Sequence, residues 1–246
     1  MCGIAGYFLK NKSSPIKNCL KNMKQSLFHR GPDGSGEKVI YKSGFIQTRL
    51  SIIDIKNGAQ PFVHQDKKNK NELMMIANGE IYNHKELRKV YSSSYSFKSN
   101  SDCEIILPLW INKKENFTSQ IRGMYAIAIY DRDNDTGLLA RDPFGIKPLY
   151  YIEHSSGIYF SSEPTALLNS KIVDKNVDPI NYALLLEDQY INSNIFSNIK
   201  KVNPGEKLII KNGSIINNSI DKPLEKKIFN YQKNYAFDLE KILNES

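Results

Sequence analysis

Cysteine, tryptophan and long apolar runs are all scarce in this chain. Its 246 residues include three cysteines and one tryptophan. Cys2, Cys19 and Cys103 are odd in number and widely spaced, which argues against a disulfide framework or a zinc motif and suits a reducing compartment such as the cytoplasm. No run of about 18 apolar residues occurs, so we expect no membrane-spanning helix. We also expect no signal peptide, because no charged segment followed by an apolar core precedes a cleavage site.

The positive charge of the chain does not point to nucleic acid. The net charge is +8, and hydrophobic residues make up 40% of an otherwise ordinary globular composition. The lysines are scattered or sit in polar runs such as 66–70 and 112–116, which are typical of solvated loops rather than of one basic face. We therefore expect neither a nucleic-acid partner nor a membrane partner.

The pattern of elements favours an α+β protein with antiparallel sheets. Hairpin signals join most of the predicted strands, and a few helices lie between them. Asn212-Gly213, flanked by strands at 206–211 and 214–217, is a type I′ hairpin signal. A strand at 73–77 is predicted to end at Asn78-Gly79. Ser101 with Glu104 has the form of a capping box at the start of a helix, which Pro108 should bend or shorten. We assign residues 1–218 to one domain and 219–246 to a polar linker with the start of a further domain.

The chain opens Met1-Cys2-Gly3. Removal of Met1 would leave Cys2 as a residue that carries both a thiol and an α-amino group. Because an α-amino group has a pKa of about 7.7–8.0, it can take the proton of the thiol and act as the general base. A cysteine at position 2 is more often incidental, so this feature alone does not define an enzyme.

Six motifs in order extend this observation. They are Cys2-Gly3-Ile4-Ala5-Gly6, His29-Arg30-Gly31-Pro32-Asp33, Arg49-Leu50-Ser51-Ile52-Ile53-Asp54 with Gly58-Ala59-Gln60-Pro61, Asn78-Gly79-Glu80-Ile81-Tyr82-Asn83, Ser101-Asp102-Cys103-Glu104, and the segment 141–150. Over about residues 1–215 this order resembles the glutaminase domain of asparagine synthetase B-type enzymes. Those enzymes are class II glutamine amidotransferases within the N-terminal nucleophile hydrolases. The resemblance implies a four-layer αββα fold, with two stacked antiparallel sheets flanked by helices.

The resemblance also implies the roles of individual residues. Cys2 would attack the side-chain amide of glutamine, and Asn78 with Gly79 would form the oxyanion hole. The implied glutamine-binding residues are Arg49, Leu50, Ser51, Ile52, Ile53, Asn78, Gly79, Glu80 and Asp102. Among them Arg49 would hold the α-carboxylate through paired hydrogen bonds, and Asp102 would accept the substrate ammonium. No metal site is implied.

Each residue has a plainer interpretation when taken alone. Asn78-Gly79 is compatible with a tight turn, Arg49 with a surface arginine at a strand end, and Asp102 with an acidic residue favoured by a helix dipole. Cys103 has no built-in base and is interpreted as a packing residue. His29 is interpreted as structural, and the segment 141–150 as scaffold or interdomain surface.

The acceptor of the ammonia is left open. We find neither a Ser-Gly-Gly-x-Asp-Ser loop nor a GxxxxGK[ST] loop, so we expect ATP and Mg²⁺ only on a separate C-terminal synthetase domain or subunit. The chain is a truncated protein, a split gene product or a stand-alone glutaminase, with a homodimer as one expected assembly. Two alternatives stay open: an amidotransferase with a sugar or other acceptor, and a non-catalytic glutamine-binding module.

Overall fold

The structure, a computed structural model, describes residues 1–12, 18–65, 72–187 and 195–221. The strands in chain order are β1 (Gly3–Leu9), β2 (Gly34–Ile40), β3 (Ser43–Arg49), β4 (Phe62–Gln65), β5 (Glu72–Ile81), β6 (Gly123–Asp131), β7 (Thr136–Arg141), β8 (Tyr150–His154), β9 (Gly157–Ser161), β10 (Lys200–Lys201), β11 (Glu206–Lys211) and β12 (Ser214–Ile220). The α-helices are α1 (Cys19–Ser26), α2 (His84–Tyr91), α3 (Ile106–Lys113), α4 (Pro164–Asn169) and α5 (Pro179–Leu186).

These strands form two antiparallel sheets, as predicted. The first has the order β10-β8-β9-β1-β3-β2 and the second the order β12-β11-β7-β6-β5-β4. The hairpin at Asn212-Gly213 is also confirmed, since both residues have positive φ (49° and 69°), as a type I′ turn requires. The extra strand β4 and helix α4 were not predicted, because both are short and lack a periodic pattern.

Three apolar clusters separate the layers. Phe8, Phe45 and Phe160 lie at the centre of the cluster between the sheets, with ring centroids 5.3 to 5.5 Å apart. Residues of α1 and α4 pack on the outer side of the first sheet. Residues of α2 and α3, including the buried Trp110, pack on the outer side of the second. The predicted four-layer αββα fold is confirmed.

The alternation of side chains along β5 decides what faces the space between the sheets. Met74 and Ile76 belong to the inter-sheet cluster, whereas Met75 and Ala77 belong to the cluster under α3. Because successive side chains of a strand point to opposite faces, Asn78 continues the inter-sheet set. Glu80 follows it on the same face.

One expected helix start differs from the structure, and a second cannot be compared with it. Asp102–Ile105 is a 3₁₀ turn, and the α-helix begins only at Ile106. Pro108 explains this difference: it has no N–H to donate to the carbonyl four residues earlier, so the α-helical pattern cannot include Glu104. Helix α1 begins at Cys19, after Asn18 with φ of 64°; the start predicted at Ser14 lies outside the described residues.

The domain boundary expected at residue 218 falls inside a strand. β12 continues to Ile220, and most of the predicted linker, from residue 222 onward, lies outside the described residues. Within the part of the chain that the structure describes, no helix has the length and apolar character needed to cross a bilayer.

Candidate active site

A cavity of about 140 Å³ opens where β1 begins and where β3 and β5 end. An engineered cavity of about 150 Å³ holds a benzene ring, so this space accommodates the side chain of an amino acid. The predicted site residues that line it are Cys2, Arg49, Leu50, Ile52, Ile53, Asn78, Gly79, Glu80 and Asp102. Ser51 does not; it lines an adjacent cavity, and its N–H donates to Asp33 Oδ2 at 2.8 Å.

The thiol of Cys2 is held against the end of β3. The Leu50 N–H donates to Cys2 Sγ at 3.4 Å, and the thiol lies 3.6 Å from the Leu50 carbonyl oxygen. Met1 still precedes Cys2 and itself lines the cavity. The sulfur that would act as the nucleophile therefore lies in the wall of the cavity, with methionine beside it.

Arg30 anchors the main chain of Cys2, a role for which the sequence offered no derivation. Its Nε donates to the Cys2 carbonyl oxygen at 3.0 Å, and its Nη1 donates to Glu163 at 2.8 Å. His29 contacts the same oxygen of Glu163 at 3.0 Å. This contact fits the prediction that His29 is structural. Burial would raise the pKa of Glu163, but hydrogen bonds and charges from Arg30 and His29 outweigh it and hold that pKa below its usual range.

Asn78 and Gly79 lie within β5, so the prediction of a strand that ends before them is wrong. β5 stays paired with β6 through Ile81, with Asn78 opposite Ala126 and Gly79 opposite Tyr125. The Asn78 side chain is buried, and its Nδ2 has no hydrogen-bond partner among the described residues. A buried donor without an acceptor is unusual, and here it lines the cavity beside Cys2.

The open edge of β5 presents a second free donor. In an antiparallel ladder, alternate residues point their N–H groups away from the partner strand. Along this edge the Ala77 N–H donates to Gln60 Oε1 at 2.6 Å, and the Ile81 N–H donates to Asp102 Oδ2 at 2.7 Å. By the same alternation, the Gly79 N–H between them points away from β6, toward the cavity that Gly79 lines.

The absence of a side chain at Gly79 is required by β6. A Cβ there would lie 2.3 Å from the Met124 carbonyl oxygen and 2.8 Å from Tyr125 Cα. The glycine allows β6 to approach β5 closely, and the pairing of the two strands holds the Gly79 N–H in the direction of the cavity.

Asp102 is buried and lines the cavity. Its Oδ2 accepts the Ile81 N–H, and its Oδ1 has no hydrogen bond within the described part of the chain. The Ser101 side chain caps the turn by accepting the Cys103 N–H at 3.3 Å. The reciprocal half of the predicted capping box is absent, because the buried Glu104 carboxylate instead accepts the N–H groups of Lys98 and Ser99.

Arg49 uses part of its hydrogen-bonding capacity on the loop that follows it in the chain, residues 53–55. Its Nη1 donates to the Ile55 carbonyl at 3.0 Å, and its Nη2 donates to the Ile53 and Asp54 carbonyls at 2.9 and 2.7 Å. An arginine has five N–H donors, so its Nε–H and one Nη1 hydrogen remain for a ligand. Arg49 therefore shapes the 53–55 loop as well as lining the cavity.

Cys103 also lines the cavity but is chemically unlike Cys2. Burial, followed by the nearby charge of Asp102, raises its pKa well above the ordinary value for a thiol. Burial likewise raises the pKa of Cys19 to about 12. Both thiols stay protonated at neutral pH, whereas Cys2 is partly accessible.

Several cavity residues were missed by sequence reasoning, among them Gln60 and Lys147. Gln60 was part of a motif but had no assigned role, and Lys147 lay in the segment interpreted as scaffold. Both are buried and line the cavity. A proline-rich turn in the sequence does not reveal which of its side chains points inward, so Lys147 could be found only after folding.

Comparisons with known proteins place this geometry in a class. The structure matches glutamine phosphoribosylpyrophosphate amidotransferase from B. subtilis with a TM-score of 0.65 and 21% identity, over 89% of this chain and 49% of that chain. This likeness and the αββα layers identify the N-terminal nucleophile hydrolase fold.

Sequence comparison then gives the family. Residues 1–220 match the glutamine amidotransferase domain, and the chain belongs to that family. Asparagine synthetase [glutamine-hydrolyzing] 1 of Bacillus subtilis is 36% identical over 86% of this chain and 34% of its own length. Asparagine synthetase B of Escherichia coli is 40% identical over 68% of this chain and 30% of its own length. The chain thus spans about a third of the length of these curated relatives.

Proposed function

We propose that this domain hydrolyses L-glutamine to glutamate and ammonia through a thioester on Cys2. The observation that carries the proposal is the pair of free donors, Asn78 Nδ2 and the Gly79 N–H, beside the cavity that holds Cys2. Two such donors match the need of a tetrahedral oxyanion.

The reaction balances with these groups. The α-amine of Cys2 takes the thiol proton, and the sulfur attacks the side-chain amide carbon to form a C–S bond. The amide C–N bond breaks, and the nitrogen leaves as ammonia with the proton that the amine held. Water then attacks the thioester, which releases glutamate and restores the thiol.

The charges of the cavity suit the other end of the substrate. Asp102 and Glu80 offer carboxylates for the α-ammonium, and the remaining donors of Arg49 offer hydrogen bonds for the α-carboxylate. Leu50, Ile52 and Ile53 supply apolar contact for the methylene groups, and Ser51 supports the loop from the neighbouring cavity.

Loss of Met1 is part of this proposal. Its removal would create the free amine and clear part of the cavity wall. The experiment is ammonia release from glutamine by the wild type, Cys2→Ala and Cys19→Ala, with intact mass measured on each preparation. We expect activity in the wild type and Cys19→Ala, both without Met1, and none in Cys2→Ala. Equal release by Cys2→Ala would refute the thioester route.

We infer further that the ammonia serves a C-terminal synthetase domain or subunit that uses ATP and Mg²⁺ to form asparagine. The support is the similarity to glutamine-hydrolysing asparagine synthetases of Bacillus subtilis and Escherichia coli. The free state of all three cysteines suits a cytoplasmic enzyme. The test of the acceptor is asparagine formation from aspartate by the complete gene product. Formation of an amino sugar instead would show that the acceptor is a sugar and not aspartate. Light scattering tests the homodimer.

A further inference from the structure

Lys147 is a buried cation that the proposed reaction has not yet used. The residue is 7% exposed and lines the cavity with Cys2 and Asn78. Its Nζ has no hydrogen-bond or ion-pair partner among the described residues. Lysine is rarely this buried without a partner, so the ammonium is available to a ligand in the cavity.

The main chain of Lys147 is fixed by its turn. The buried Asp142 carboxylate accepts the N–H groups of Phe144, Ile146 and Lys147 at 3.1, 3.0 and 3.0 Å. Arg141 Nε donates to the Lys147 carbonyl at 2.7 Å. A side-chain substitution leaves all of these bonds in place, so the ammonium can be removed without dismantling the turn.

The turn brings Lys147 into the cavity from one particular side. Asn78, Ala126 and Arg141 lie in register across β5, β6 and β7, and the turn after Arg141 crosses to β8 in the other sheet. Asp102 instead binds the edge of β5 that faces away from β6. Asp102 and the turn that carries Lys147 therefore lie on opposite sides of Asn78.

We propose that Lys147 is a further catalytic residue that acts at the amide end of bound glutamine. The proposal rests on the glutaminase function above. A substrate whose ammonium lies at Asp102 and whose amide carbon lies at Cys2 has its amide end on the side of the cavity that faces Lys147. An ammonium at this position stabilises the neutral amide of the bound substrate only slightly. The same ammonium stabilises the oxyanion of the tetrahedral intermediate and the γ-carboxylate of product glutamate more strongly, because both are anionic.

The test compares Lys147→Met with Lys211→Met in the full chain. Both changes remove one positive charge, and Lys211 lies exposed opposite Thr136, at the far end of β7. We expect Lys147→Met to lower kcat at least about tenfold with KM changed less than about twofold, because an interaction made only in the transition state affects kcat. Lys147→Arg should recover most of the rate, and Lys211→Met should match the wild type.

A binding measurement gives a readout independent of turnover. In the Cys2→Ala background, calorimetry should show glutamate binding weakened about tenfold by Lys147→Met, while glutamine binding stays nearly constant. If Lys147→Met lowers the melting temperature, Lys147→Gln replaces it in both assays.

The outcomes separate the two proposals. Wild-type rates in Cys2→Ala would overturn the glutaminase function itself. An inactive Cys2→Ala with Lys147→Met equal to Lys211→Met would overturn only the role of Lys147. So would a rise in KM alone, because it would place the ammonium at the other end of the substrate.

Discussion

At the scale of single residues, buried polar atoms without partners mark the site. Within the described ranges four side-chain atoms are of this kind, on Ser43, Gln47, Asn78 and Trp110, and two of these residues, Gln47 and Asn78, line the cavity. Such atoms are destabilising when left unpaired. The two that line the cavity favour a ligand that pairs with them.

Replacement of Asn78 tests whether its unpaired Nδ2 is an oxyanion donor. We expect Asn78→Ala to lower kcat for glutamine about 10²- to 10³-fold, because one oxyanion donor is lost. KM should change little. Steady-state ammonia release measures both values, and Asn217→Ala on the exposed part of β12 is the matched control. A wild-type kcat in Asn78→Ala would exclude it from the oxyanion hole.

The three cysteines should differ in reactivity. Cys19 and Cys103 have raised pKa values because they are buried, so we expect iodoacetamide at pH 8 to modify the native protein at Cys2. Peptide mass spectrometry locates the adduct, and the denatured protein, in which all three cysteines react, is the control. Modification of Cys103 at the rate of Cys2 would contradict this assignment.

Glu163 makes the anchor of Cys2 sensitive to acid. Its pKa is lowered in the folded protein, so its carboxylate stabilises the fold above the unfolded pKa of about 4.3. That stability is lost as the pH falls through the lower, folded value. Glu163→Gln should therefore melt earlier than the wild type at pH 7, and the difference should shrink below about pH 4. Thermal melts across this pH range measure it; a constant difference would show that the charge of Glu163 is unimportant.

At the scale of elements, the strands were more predictable than the positions of the site residues on them. The strands predicted at 206–211 and 214–217 and the Asn212-Gly213 turn between them are local signals, and this hairpin was confirmed. The extent of β5 is not local, because pairing with β6 carries the strand through Asn78 and Gly79. The same holds for Lys147, whose direction depends on bonds made by Asp142.

The β5–β6 pair can be tested at Gly79. A Cβ at this position would lie 2.3 Å from the Met124 carbonyl oxygen, so the strands must separate to accept it. We expect Gly79→Ala to lower both the melting temperature and the glutaminase rate. Gly34→Ala, where nothing lies within 4 Å of the added Cβ, is the control for the same substitution in an open position. An unchanged melting temperature in Gly79→Ala would show that β6 can move to accommodate the added Cβ without loss of stability.

At the scale of the whole molecule, the inter-sheet layer supports the cavity. Phe8 packs against Phe45 and Phe160 in the strand that follows Cys2. We expect Phe8→Ala to reduce the free energy of unfolding by about 3–5 kcal/mol, measured by urea denaturation. Phe144→Ala, at a residue that is 72% exposed, should change it by less than about 0.5 kcal/mol. Equal effects would mean that the aromatic layer contributes little.

The alternation along the free edge of β5 has a consequence for how such a chain can change. Ala77, Gly79 and Ile81 send their amides outward, while Asn78 and Glu80 send their side chains inward. One inserted or deleted residue between Met75 and Asn78 would reverse this parity, turn the carboxamide toward α3 and point the Gly79 amide at β6. Every chemical group would still be present, but the Asn78 side chain and the Gly79 N–H would point away from the cavity. Length variation should therefore be tolerated in the turns of this domain and eliminated from this short stretch.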